Sequence, residues 1–333
     1  MSVVDVVIVV HNHAPTLTAT LRGLASQTLA PARVVAVDNA SSDGSRSILA
    51  ATDLANIEVV QWDDNHGFSA AANEGIRRTQ APWVLSLNPD CRLAPDFLAS
   101  LVAAGMVHER VGAACGLLLR GAGTTLEATG LVDSAGLVAS AAGRHFDRAA
   151  ARRLRPELER PAWVFGATGA TALLRRAALD DVAYPGREVF DEGFFAYRED
   201  ADLAWRLQRR GWRCLYWPVA RGWHGRGLRP EAGRRGTATI NRLGVRNRFL
   251  LLWSNADWRW RLACFPWWWL RDLQVLAACL TVERGSLGGL REAWRRRDTQ
   301  RQRGRENASR AAVSGWRLAS WCLPGRRVRG LEA

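Results

Sequence analysis

No lysine occurs among the 333 residues, so all 46 basic side chains are arginine. This reads as genomic bias rather than as a functional device. Cysteine pairs are missing too: Cys91, Cys115, Cys214, Cys264, Cys279 and Cys322 are scattered, with no C-x-x-C and no histidine at ligand spacing. That argues against a zinc cluster or a disulfide framework and for reduced, packed thiols. The chain has no G-x-S-x-G elbow and no Walker loop, which sets aside a serine hydrolase and a P-loop nucleotidase. Internal repeats are absent. The most apolar stretch, Leu262 to Leu280, is interrupted by Pro266, Arg271 and Asp272. A spanning helix needs ~20 mostly apolar residues and a central charge is costly, so a full membrane crossing is not expected. The opening Val3 to Val10 has no basic flank before it and no small-residue cleavage site after it. It reads as a first strand rather than a signal peptide, and the catalytic part is expected in the cytoplasm.

What is present is a globular composition, 48% hydrophobic and 23% charged, with a net charge of +14 that is unevenly spread. Residues 1–100 hold 6 arginines against 10 carboxylates, a net of −4, whereas residues 241–333 hold 19 against 7, a net of +12. Nine of the 16 tryptophans lie in that basic third, interleaved with arginine as in Trp258-Arg259-Trp260-Arg261. Such a segment suits the headgroup layer of an anionic membrane, and the competing reading is a helical cap that packs its tryptophans on the core. The expected organisation is a catalytic domain over 1–240, an amphipathic helical and membrane-associating region over 241–298, and a weakly ordered basic tail over 299–333.

Through the first hundred residues, β-branched runs alternate with helical stripes. Strands are expected at Val6–Val10, Val34–Val37, Glu58–Trp62 and Trp83–Leu87, separated by helices near Thr16 to Gln27, from Ser45, and around Asn73. The pattern predicts a mostly parallel α/β sheet covered on both faces. The middle is less regular, with Gly and Ala punctuating 112–143 and an arginine-rich loop over 144–160. A helix is expected from Asp200 to Arg210, closed by Gly211, and a strand at Arg213–Trp217.

Ligands of such sheets sit at the carboxyl ends of the strands, and His11, Asn12, Asp38, Asn65 and Asp90 all fall there. Asn88-Pro89-Asp90 presents a carboxylate on a Pro-rigidified turn, suited to a divalent cation that neutralises a diphosphate; a turn or capping Asp is the plainer reading. In Glu199-Asp200-Ala201-Asp202, Asp202 is expected to pair with Arg206 four residues on. Asp200, beside Phe190, Phe194, Phe195 and Tyr197, is the candidate general base, with Glu199 as second choice. His224, in a polar loop after a strand, is a candidate metal ligand or acceptor contact as readily as a structural histidine.

Together these motifs resemble the family 2 glycosyltransferases of the GT-A (Rossmann-like) fold, in particular the branch holding bacterial rhamnosyltransferases of cell-surface polysaccharide assembly. The residues that carry the resemblance are the opening VVIVVHNHAPTL; Asp38 to Ser45 (DNASSDGS); Asn65-His66-Gly67-Phe68 with Asn73-Glu74-Gly75; Asn88-Pro89-Asp90; and FFAYREDADLAWRLQRRGW. They cover about residues 3–225. The resemblance implies inverting transfer of a sugar from a nucleoside diphosphate sugar such as dTDP-rhamnose to a glycan or polyprenyl-linked acceptor, in the presence of Mg²⁺ or Mn²⁺. It implies that Asp38 holds the nucleobase, Asp90 the metal and Asp200 the proton of the attacking hydroxyl. The donor site is then expected to include His11, Asn12, Asn65, Gly67, Asn73 and Asn88. Asn88 stands where many relatives have the first Asp of an Asp-x-Asp pair. Beyond 240 the likeness is one of style, since relatives often carry basic, aromatic membrane-associating helices there; this places the protein peripherally on the inner membrane face.

Two other classes compete. A nucleic-acid-binding protein would need basic residues across the main domain, and residues 1–100 are net acidic, so nucleic acid is not an expected partner. A nucleotidyltransferase would need a Gly-rich basic loop after the first strand, and none is present.

Overall fold

The computed structural model describes residues 3–226 and 238–331. Four parallel strands open the chain: β1 (Val4–Val10), β2 (Arg33–Asn39), β3 (Ile57–Trp62) and β4 (Trp83–Leu87). They are joined through α1 (Ala14–Ala25), α2 (Ser45–Ala50) and α3 (Phe68–Arg77). β1 and β2 are buried along nearly their whole length, as near-continuous Val and Ile runs require in a sheet covered on both faces. The register sets Val10 level with Asp38, and Asp38 level with Gln61, so the polar residues after these strands converge on one edge.

β5 (Cys91–Leu93) and α4 (Phe97–Met106) lead into β6 (Val111–Ala122), a twelve-residue strand. Next come β7 (Glu127–Ser134), the ribbon β8 (Leu137–Ala139) with β9 (His145–Asp147), then β10 (Ala162–Val164) and β11 (Thr171–Arg175). α5 (Arg176–Val182), α6 (Glu199–Arg209) and β12 (Arg213–His224) follow. The sheet order is β3-β2-β1-β4-β11-β6-β12-β10, with β7 beside β6 and β5 beside β12. β5, β7, β10 and β11 run antiparallel to their neighbours, so the sheet is mixed, with the other six of its ten strands all running one way. Gly211 lies just past the end of α6 with φ +84°, the left-handed conformation that closes a helix.

The remaining helices are α7 (Ala238–Asn255), α8 (Trp258–Ala263), α9 (Trp267–Leu280), α10 (Leu287–Arg295), α11 (Arg297–Ser309) and α12 (Gly315–Ser320). No helix among the described residues is long and apolar enough to cross a membrane. The tryptophans divide between the two roles considered for them. Trp260 is fully buried, edge-on to Trp205 with ring centroids 5.3 Å apart, whereas Trp258 and Trp267 are 64% and 60% exposed.

The tail, expected to be weakly ordered, is helical and docked on the main sheet's surroundings. Gln300 donates to Asp191 at 2.9 Å, Arg303 pairs with Asp191 at 2.5 Å, and Asn307 donates to the Ser254 carbonyl at 2.9 Å. A polar composition hid this, because its docking contacts are ionic and long-range rather than apolar and periodic.

Candidate functional site

The loops at the ends of β1 and β2 are tied together by reciprocal contacts. Asn12, in a left-handed conformation (φ +57°), accepts from the Ser42 amide at 2.8 Å, and Asp43 accepts from the Ala14 amide at the start of α1 at 3.0 Å. The His11 ring bonds the Asn39 carbonyl at 2.8 Å. Asn65 accepts from the Asn39 side chain at 3.0 Å and from the Gly67 amide at 2.9 Å. Asp38 lies fully buried below this frame, its Oδ2 on Arg46 Nε at 2.6 Å and its Oδ1 without a hydrogen-bond partner. A buried, unpartnered carboxylate oxygen is costly in isolation and fits the N–H edge of a base.

Asp90 emerges from the turn after β4. Its position is held from below, since Thr16 and Thr20 both donate to the Pro89 carbonyl, Thr20 at 2.8 Å. Asn88 is half-buried beside it. His224, the last residue of β12, pairs in register with Cys91 and bridges two carboxylates. Its Nδ1 lies 2.7 Å from Asp133 Oδ2 and its Nε2 3.2 Å from Asp90 Oδ1. Burial opposes charge on this ring, but the hydrogen bonds to Asp133 and Asp90 outweigh it and lift its pKa to about 9. Burial likewise opposes charge on Asp90, and the bond to His224 reverses the balance, holding that carboxyl below its ordinary value.

Asp90, Cys91 and His224 bring three potential ligand atoms within 4.8 Å of one another, a group able to hold a metal ion. The donor set suits a divalent cation once His224 gives up the proton its Nε2 shares with Asp90, since only a neutral imidazole is a ligand. Asp133 fixes the imidazole so that Nε2 faces Asp90, the usual way a carboxylate orients a metal-bound histidine, and one carboxylate beside it leaves room for diphosphate oxygens. Cys91 is the poorer ligand, since burial drives its thiol well above its normal pKa.

The base candidates sit at the start of α6. Asp200 Oδ2 accepts from the Gly169 amide at 3.1 Å. Burial first, and the nearby Asp147 carboxylate second, raise Asp200 to about 6. Glu199 is pushed further, to about 8, by burial and by Asp200, and its Oε2 has no partner. Asp147 pairs with Arg226, which also holds Asp133 at 2.9 Å. A chain of ion pairs thus runs from Asp147 through Arg226 and Asp133 to His224 and Asp90, and Asp200 faces the Asp147 end of it as a like charge. Asp202, as expected, is a structural residue: fully buried, it pairs with Arg206 at 2.7 Å and accepts from Asn255 at 2.7 Å.

The loop before α6 is strained. Phe195, Tyr197 and Arg198 all have positive φ (64°, 70° and 72°). Such conformations persist only where the surroundings over-determine them. α7 does this: Asn247 donates to the carbonyls of Phe194, Ala196 and Tyr197 at 3.0, 2.8 and 2.7 Å, and Arg246 donates to Phe194 at 2.6 Å. Gly67 does it from the other side. Its φ is +86°, and a Cβ there would lie 2.5 Å from the Phe195 carbonyl oxygen.

The structure therefore brings His11, Asn12, Asp38 and Asn65 to one edge, joins Asp90 to His224, and puts Glu199 and Asp200 at the start of α6, with Asp200 facing the Asp147 carboxylate. Gly67 serves close packing against the Phe195 loop. Asn73, expected at the ligand, is fully buried, with both amide hydrogens on Phe190 and Glu192 and its oxygen on the Val189 and Phe190 amides. It has no group left for a ligand and ties α3 to that loop. Sequence reasoning missed Asp133, Asp147, Arg226 and Asn247. Arg226, two residues past His224, was the one with a local signal.

The family model described as glycosyl transferase family 2 matches residues 5–183. Among curated proteins, the chain is 30% identical over 242 residues to the N-acetylglucosaminyl-diphospho-decaprenol L-rhamnosyltransferase of Mycobacterium tuberculosis, covering 67% of this chain and 76% of that protein. Among solved structures, the mannosyltransferase PcManGT from Pyrobaculum calidifontis, in complex with GDP-Man and Mn²⁺, superposes with a TM-score of 0.52 at 17% identity, covering 92% and 85% of the two chains. GalNAc-T7 with UDP, GalNAc and Mn²⁺ gives a TM-score of 0.55 at 16% identity; 81% of this chain is covered, and it spans only 54% of that one. These two likenesses carry the fold alone. With the family model matching more than half of the chain, and the polar set above at the strand ends of a GT-A sheet, the chain belongs to glycosyl transferase family 2 and is a glycosyltransferase.

Proposed function

We propose that the protein is an inverting glycosyltransferase that moves a sugar, rhamnose in the reading favoured here, from a nucleoside diphosphate donor such as dTDP-rhamnose to a hydroxyl of a lipid-linked glycan acceptor. The observation that carries this is the Asp200 carboxylate, oriented by the Gly169 amide and raised to about 6 by burial and by the Asp147 carboxylate. A base with that pKa is ionised at neutral pH yet still takes a proton in the transition state. Single displacement needs such a base, a nucleobase pocket and a counter-charge for the leaving diphosphate, and it needs no covalent nucleophile. Asp38 supplies the acceptor for the base edge, and His11, Asn12, Asn65 and Asn88 frame the donor. Asp90 and His224 would hold a divalent cation, which supplies Lewis-acid neutralisation of the departing diphosphate. Glu199, next to Asp200 in α6 and protonated near neutrality, keeps Asp200 the ionised member of the pair.

The rhamnosyl donor and lipid-linked acceptor are supported by the name of the mycobacterial relative. Exposed Trp267, Trp269, Leu273, Leu276 and Leu280 along α9, within an arginine-rich third, support work at an anionic membrane surface on the cytoplasmic side. The test is thermal stabilisation across a panel of sugar nucleotides with and without Mn²⁺. Binding adds stability only for the donor that fits. A metal-dependent shift with a dTDP-sugar supports the reading, and no shift with any sugar nucleotide overturns it.

A further inference from the structure

A cavity of about 670 Å³ is walled by α7, α9 and the turn before β9, with Arg198, the residue before α6, in its lining. Its volume lies within the ~300–1,000 Å³ typical of small-molecule sites. Four arginines line it, Arg144, Arg198, Arg248 and Arg271, together with one carboxylate, Glu283. Among the described residues one carboxylate pairs with them, Asp272, at 2.8 Å from Arg248. Arg144, Arg198 and Arg271 form no ion pair there. Burial, and then mutual repulsion, lower the basicity of Arg198 to about 10 and depress Arg144 as well. Arginines that outnumber the carboxylates around them, here four against Asp272 and Glu283, form an anion site, because a guanidinium offers paired N–H donors to phosphate oxygens.

The surroundings narrow the anion. Arg198 stands two residues from Asp200, so one wall of the cavity adjoins the base. Another wall is α9, whose Arg271, Gln274, Val275 and Ala278 face inward. The next stripe of the same helix, Trp269, Leu273, Leu276 and Leu280, is exposed and apolar. A charged cavity opening beside an apolar helical stripe matches a molecule with a phosphorylated head and a hydrocarbon tail.

We infer that this cavity is the acceptor site, in which Arg144, Arg198, Arg248 and Arg271 hold the diphosphate of a polyprenyl-diphosphate-linked glycan while its chain lies along the exposed face of α9. This deepens the proposed transferase reading and rests on it. The arrangement sets Asp200 between two phosphorylated groups: the donor's, beside Asp90, and the acceptor's, beside Arg198. The acceptor hydroxyl then reaches the base from the α9 side.

The test uses the full-length protein and farnesyl diphosphate as a soluble probe, with farnesol, inorganic diphosphate and phosphatidylglycerol vesicles as competitors. Arg248 makes several backbone contacts, so the variant is Arg144→Gln combined with Arg271→Gln, with melting temperature as the folding check and the double Arg→Lys variant as the charge-preserving control. The expected result is saturable binding of farnesyl diphosphate that weakens at least tenfold in the Gln variant and is largely restored in the Lys variant. Farnesol should compete poorly. Unchanged binding in the Gln variant overturns the inference. So does displacement of the probe by a nucleoside diphosphate, which would place it in the donor site, or by vesicles alone, which would make the arginines a headgroup site. The sugar-nucleotide panel is read separately: if it fails while the arginine dependence holds, the cavity stands as a prenyl diphosphate site and the proposed donor reading falls.

Discussion

The side-chain amide of Asn247 in α7 donates to the backbone carbonyl of Tyr197 at 2.7 Å, two residues before Glu199. The basic, aromatic third of the chain therefore does more than lean on a surface: through this bond and its companions to Phe194 and Ala196, it holds the strained turn that aims Glu199 and Asp200. Replacing Asn247 with Leu strands buried carbonyls, at a cost of about 1–3 kcal/mol. The expected outcome is a lower melting temperature and a fall in kcat larger than any change in donor KM, read by calorimetry and steady-state kinetics.

Gly67 faces the same turn from the opposite side. Gly67→Ala combines a residue at φ +86° with a Cβ 2.5 Å from the Phe195 oxygen. The expected loss is about 1–3 kcal/mol, from strain at this φ. Denaturant melts of the two proteins at one pH check it. Gly123→Ala, where nothing lies within 4 Å of the added Cβ, isolates the cost of positive φ (+68°) from that of contact.

His224 takes its orientation from Asp133. Asp133→Asn preserves the shape and removes the carboxylate that fixes the ring. A positioning carboxylate of this kind is worth about 10–100-fold in metal affinity. Mn²⁺ titration followed by electron paramagnetic resonance should show a weakening in that range, with the apo melting temperature giving the structural part separately.

Asp200 also makes a stability prediction with a definite sign. Its pKa rises from an ordinary 3.8 to about 6 on folding, because burial and Asp147 disfavour the charged form. Below the unfolded value both states are protonated and the site costs nothing. As pH rises from about 4 to about 6, the unfolded state loses its proton first and the folded state is penalised. Asp200→Asn should therefore melt higher than the parent at pH 8, with the advantage shrinking towards pH 4. An equal advantage at both pH values would show that the gain does not come from the carboxyl's ionisation.

Much of the sheet was legible because β1, β2 and β4 are β-branched runs, and a doubly covered parallel strand needs nothing else. β6 was not, since its Gly112-Ala113-Ala114-Cys115-Gly116 opening resembles punctuation. The reason lies in the packing: a Cβ on Gly116 would meet the Ala220 oxygen of β12 at 2.3 Å and the Phe97 ring at 2.8 Å, so the strand is small-sided because its neighbours are close. β12 runs on to His224 past the expected stop at Trp217, through a register shift between Trp217 and Arg221 that single-strand patterning does not show. Within the site, Asp38, Asp90 and Asp200 could be picked from strand-end and helix-start positions. Asp133 could not, because it meets His224 across 91 residues of sequence. Asn73 was misplaced for the opposite reason: it lies within a site-like motif, but its side chain is spent inside the protein.

The most direct measurement is transfer by Asp200→Asn under saturating donor and acceptor, alongside Glu199→Gln and with donor affinity measured in each. A base lost from single displacement should cut the transfer rate by about 10²–10⁴-fold. Donor affinity should stay near that of the parent, the parent's rate should fall as pH drops through about 6, and Glu199→Gln should be much the milder change. Transfer by Asp200→Asn at the parental rate, or the large loss appearing in Glu199→Gln instead, would contradict the assignment of Asp200 as the base.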